Sequence, residues 1–142
     1  MISRRMVIHA LVVAVGCAAA GLASGNQEKF SDVIAREVRK GDGTKVDLGR
    51  LIDVPWDRMF VFAPYTSLKD AQKVLPGAWS AADHDGLEMR DDICVLAFFD
   101  HARRAVRVTQ PRGSGDFAGA VRKGGYSRSE AVFEVSRGHL VP

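Results

Sequence analysis

"ICVLAFFDHARRAVRVTQ", residues 93–110, decides the fold. Seven consecutive apolar residues, Ile93 to Phe99, put nonpolar side chains on both faces of an extended chain. That is the pattern of a strand buried inside a sheet. "DHARR", residues 100–104, has the composition and length of a hairpin loop, and "AVRVTQ", residues 105–110, alternates as a half-exposed outer strand does. The whole stretch reads as an antiparallel pair.

Upstream, "PWDRMFVFAPYTS", residues 55–67, contains a second run that is apolar on both faces, Met59 to Phe62, ended by Pro64. Ser67 and Asp70 fit a capping box for a short helix whose apolar face is Leu68, Ala71, Val74 and Leu75. Downstream, "AVFEVS", residues 131–136, alternates again. Between these strands, residues 77–92 are polar and glycine-punctuated, and residues 111–130 hold five glycines; both read as irregular loops, the second long or partly disordered. Near the start, "NQEKFSDVIAREVRK", residues 26–40, spaces Phe30, Val33, Ile34 and Val38 for one helical face, with Asn26 as N-cap and Gly41 as stop. "VDLGRLIDV", residues 46–54, fits either a short strand or a helical turn. Late strands joined without helices predict an α+β two-layer domain: an antiparallel sheet of four to five strands with helices packed on one face.

The first 25 residues, "MISRRMVIHALVVAVGCAAAGLASG", have a basic start, an apolar run and small residues, the layout of an export leader that does not belong to the fold. Residues 26–142 then form one globular domain. "AVGC", residues 14–17, resembles a lipobox, which makes Cys17 the expected lipid attachment site, although alanine stands where leucine is usual. Cleavage after "ASG", residues 23–25, or an uncleaved anchor are the alternatives, and "SRRMVI" also resembles the opening of a twin-arginine signal. The expected location is the bacterial envelope, lipid-anchored or soluble in the periplasm. Without Arg4 and Arg5, 18 basic side chains face 17 acidic ones, which excludes a nucleic-acid binder built on bulk charge. With Cys17 used or removed, Cys94 is a lone thiol inside an apolar run, read as core rather than nucleophile.

No catalytic constellation stands out. There is no G-x-S-x-G elbow, and "GSGDFAG", residues 113–119, has the wrong spacing for a phosphate loop. His84, flanked by Asp83 and Asp85, reads as part of a solvated loop; with His101 and the aspartates at 91, 92 and 100 it also offers ligands for a metal-assisted hydrolase. Trp56, Asp57, Tyr65 and Trp79 are the candidate binding surface, because amphipathic aromatics anchor interfaces. Arginines 103, 104, 107, 112, 122 and 128 with Lys123 lend the late half a basic tendency.

"VDLGRLIDVPWDRMFVFAPYTS", "DDICVLAFFD" and "SRSEAVFEVS" together resemble a set of small, uncharacterised bacterial lipoproteins. The resemblance implies an envelope location and an α+β domain, and it brings no activity with it. The expected function is non-enzymatic binding of another macromolecule, a protein or a cell-wall polymer, without a cofactor; the alternative is the metal-assisted periplasmic hydrolase.

Overall fold

The computed structural model describes residues 22–142, with side chains from 29 onward. Cys17 and the expected lipid attachment lie outside the described residues. The elements run α1 (Leu22–Val38), β1 (Lys45–Asp47), α2 (Leu48–Leu51), β2 (Arg58–Phe62), α3 (Leu68–Val74), α4 (Ala81–His84), β3 (Ile93–Asp100), β4 (Arg103–Pro111), β5 (Tyr126–Ser127), β6 (Val132–Ser136) and β7 (His139–Val141). Among the described residues no helix is long and apolar enough to cross a membrane.

The class is α+β, as the strand patterns predict. A four-stranded antiparallel sheet has the order β4-β3-β2-β5, and the hairpin of residues 93–110 supplies two of its strands. Strands β2 and β3 are buried on both faces because both faces are covered. Met59, Val61, Cys94, Leu96 and Phe98 point into the larger core, which Phe30 and Ile34 of α1 close from one side. Phe60, Phe62, Val95, Ala97 and Phe99 point the other way, under Ala71 and Leu75 of α3 and under Trp79 and Leu87. Burying one such side chain contributes about 1.5–3 kcal/mol.

Three features extend or change the sequence reading. Strand β6 joins β1 and β7 in a separate three-stranded antiparallel sheet, whose Val46, Phe133, Val135 and Leu140 fill the larger core. The stretch at 46–54 is strand and helical turn in succession: Asp47 ends β1 and caps α2, accepting from the Gly49 N–H at 3.1 Å. Helix α1 already includes Leu22, so Asn26 lies within it and is not its N-cap.

The two stretches read as loops are built structure. In residues 77–92, Ser80 and Asp83 form a reciprocal capping box on α4, and residues 87–89 make one 3-10 turn. Residues 111–130 contain two 3-10 turns and β5, organised by the buried carboxylate of Asp116. That carboxylate accepts two bonds from the Arg112 fork, both 3.1 Å, and one from the Ala118 N–H at 2.9 Å. Glycine content concealed this order, because the Arg112 fork and the Ala118 N–H on Asp116 act through geometry that composition does not show.

Candidate functional site

Beyond β2 the chain turns at Pro64–Thr66, where the Thr66 hydroxyl donates to the Ala63 carbonyl at 2.7 Å. Tyr65 occupies the left-handed region, φ +66°, a conformation that costs a non-glycine residue about 1–2 kcal/mol. Its N–H donates to the Leu87 carbonyl at 3.0 Å, binding this turn to the segment that carries Met89. Next to it, the Leu68 N–H donates to the Glu88 carboxylate. Tyr65 is 63% exposed and Met89 87%, the most exposed large apolar side chains among the described residues. Tyr65 is therefore where the sequence reading put it. Met89 was missed; its only signal was one long apolar side chain between Glu88 and Arg90.

His84 is not in a solvated loop; it is 2% exposed. Its Nε2 donates to the Thr66 carbonyl at 2.7 Å, and its Nδ1 accepts from the Trp79 indole N–H at 3.2 Å. Those partners fix the tautomer and occupy both ring nitrogens, so His84 is not free to ligate a metal. It serves as a strut under the Tyr65 turn. Trp79 is 4% exposed, tilted against the rings of Phe62 and Phe99, and so is core rather than binding surface.

Trp56 is likewise corrected. It is 4% exposed, packs edge to face on Phe98 with centroids 5.0 Å apart, and donates to the Ile52 carbonyl at 3.1 Å. The Arg128 guanidinium lies over its outer face. Amphipathic aromatics anchor interfaces, but both tryptophans here pack their rings against Phe62, Phe98 and Phe99 of the sheet.

Asp57 is exposed, and its side chain meets His101 and Asp100 at the tip of the β3–β4 hairpin. His101 Nδ1 lies 3.7 Å from Asp57 Oδ2, and His101 Nε2 lies 3.6 Å from Asp100 Oδ1. The tip is a two-residue turn, His101 and Ala102, with both residues at positive φ (+47° and +65°) and no glycine to ease it. Gly77 lets the turn settle on the body of the domain: a Cβ there would run into the Ala102 carbonyl oxygen. Of the expected metal ligands the fold thus gathers His101 and Asp100, beside Asp57 of the expected binding surface, and it separates them from His84. Asp91 and Asp92 stay apart; Asp92 is held by the Arg90 fork at 2.8–2.9 Å.

Cys94 is fully buried, as the apolar run around it predicts, and burial pushes its thiol up to about 11. That is the opposite of what a nucleophile requires. The basic tendency of the late half is largely neutralised within the fold. Arg104 pairs with Asp83 at 2.8 Å, Arg112 with Asp116 at 3.1 Å and Arg122 with Glu130 at 2.9 Å. Arg128 spends its donors on backbone carbonyls, reaching back more than seventy residues in sequence to Gly49, Ile52, Val54 and Trp56.

Comparisons of the chain with protein-family models, with curated proteins and with solved structures returned no match.

Proposed function

We propose that the chain is a non-enzymatic binding module of the bacterial envelope, and that it docks a protein partner through Tyr65 and Met89. One observation carries the docking: an aromatic side chain is held 63% exposed on a left-handed backbone, tied to the loop whose methionine is 87% exposed. Strained backbone persists where surrounding structure enforces it, and here the His84 strut and the Leu87 carbonyl do so. Tyrosine and methionine are both enriched in protein interfaces, and a thioether adapts to an irregular protein surface. Lys69, Asp70, Glu88 and Arg90 surround them with charges of both signs, a polar rim. A neutral sugar polymer would use the ring but not the methionine. The envelope location rests on the export-leader composition of residues 1–25 and on the resemblance to small bacterial lipoproteins.

Photo-crosslinking residues introduced at 65 and 89 of the full-length chain, in intact cells, test the docking. Discrete protein adducts are expected from these positions and not from Val121 or Val141, which are exposed elsewhere. Tyr65→Gly should abolish the Met89 adduct while stabilising the fold by about 1 kcal/mol, because glycine accepts the left-handed backbone freely. Equal adducts at all four positions, or adducts only to cell-wall material, would overturn the reading.

A further inference from the structure

We propose that Asp57, Asp100 and His101 form a binding site for a divalent transition-metal ion of the zinc type. The sheet register creates the site. Strands β2 and β3 pair Arg58 with Phe99, so the next step along the pair sets Asp57 opposite Asp100. The Asp57 N–H, donating to the Phe99 carbonyl at 2.9 Å, locks that step. Like charges directly opposite on neighbouring strands repel; Arg103 stands across the hairpin from Asp100 without an ion pair to it, and the other two nearby arginines are directed elsewhere. Arg58 donates to the Gly124 carbonyl at 3.0 Å, and Arg104 pairs with Asp83. Among the described residues, the group within ion-pair reach of both carboxylates is the His101 ring, a counter-charge only when protonated. A bound dication relieves the repulsion with the neutral ring as its third ligand.

The donor set and its geometry select the ion. One imidazole and two carboxylates suit zinc and its neighbours, whereas magnesium and calcium take oxygen ligands. The three donor atoms lie within 4.8 Å of one another. Zinc bonds of about 2.0–2.2 Å need them within about 4 Å, a closure the exposed His101 and Asp57 side chains make without disturbing the core. The backbone beneath is already fixed by the strand pairing, by the two-residue turn and by the close approach of Ala102 to Gly77. The exposure of His101 and Asp57 leaves the remaining coordination positions to water. This site is independent of the Tyr65 surface.

Calorimetric titration of the full-length chain with zinc chloride, paired with the visible spectrum on adding cobalt(II), tests it. The expected result is one saturable ion per chain, weakened at least about tenfold, or 1.4 kcal/mol, in His101→Ala and in Asp100→Asn. Unchanged thermal melts of the metal-free variants would show that the fold survives both substitutions. No saturable binding would overturn the proposal. Binding that persists undiminished in the variants places the ion elsewhere and overturns it too. An equal response to magnesium would remove the imidazole from the site.

Discussion

Replacing Arg128 should cost more than any other single surface-reachable substitution. Its guanidinium donates to the carbonyls of Gly49 (3.0 Å), Ile52 (3.1 Å), Val54 (2.9 Å) and Trp56 (3.3 Å), and it lies 5.0 Å from the Trp56 ring centroid. These carbonyls lie in the irregular segment between β1 and β2, whose own contribution is the Trp56 indole N–H on the Ile52 carbonyl. Ile52 and Trp56 are buried residues, so their carbonyls have little access to water once the guanidinium is gone; those of Gly49 and Val54 are half-buried and rehydrate. Charge-assisted hydrogen bonds net about 1.5–3 kcal/mol each, and an exposed cation–π contact about 0.5–1 kcal/mol. Two buried bonds at the low end plus the stacking give a loss of about 4 kcal/mol for Arg128→Ala. Arg128→Lys keeps the charge but presents three donors on one atom, which cannot span four carbonyls; about half the loss should remain. Urea unfolding followed by the fluorescence of Trp56 and Trp79 measures both variants. At about 4 °C per kcal/mol for a domain of this size, the alanine variant should melt about 15 °C lower. A change below about 1 kcal/mol for Arg128→Ala, with the urea slope unchanged, would refute the reasoning and mean that the carbonyls find water unaided.

Two further outcomes follow from buried polar groups. Burial alone would raise the Asp116 carboxyl, but the Arg112 fork and the Ala118 N–H outweigh it and hold the carboxyl below the usual carboxylate range. A carboxyl lowered in the folded state contributes stability that is present above its unfolded value, about pH 4, and is lost as pH falls through its folded value; urea midpoints compared at pH 7 and pH 3 should therefore fall less in Asp116→Asn than in the parent. The Cys94 thiol, at about 11 and without solvent contact, should resist a disulfide reagent at pH 8 and react at once in denaturing urea; rapid labelling of the folded chain would contradict the burial.

The parts of the fold legible in sequence were those written in short-range patterns. Continuous apolar runs fixed β2 and β3 as interior strands, alternation marked β4 and β6, and Ser67 announced the start of α3, accepting from the Asp70 N–H at 3.0 Å. What could not be read depends on groups far apart in the chain. Asp116 joins its neighbours Arg112 and Ala118 to a distant stretch, its N–H donating to the Gly138 carbonyl just before β7 and its carbonyl accepting from the Leu140 N–H within β7. Arg128 was one more cation in a basic list until its carbonyl partners came into view. Asp57 was flagged and His101 weighed as a ligand, but their meeting with Asp100 requires the register of β2 on β3, which no periodicity encodes. Trp79 and His84 misled for a related reason: a polar stretch that folds back over a sheet buries its few large side chains, and composition averages them away.

The four-stranded sheet, with its two covered faces, is also a partition. The larger core and the smaller one under α3 and α4 share strands but not side chains, since alternate residues of β2 and β3 belong to one or the other. A fluctuation that loosens Trp79, His84 and the Tyr65 turn reaches the side held by α1 and the second sheet only through the backbone of those shared strands. The chain can therefore let one flank breathe while the other stays rigid, opening as a subglobal unit below the free energy of full unfolding. One sheet thus carries a flank that can yield and a flank that holds.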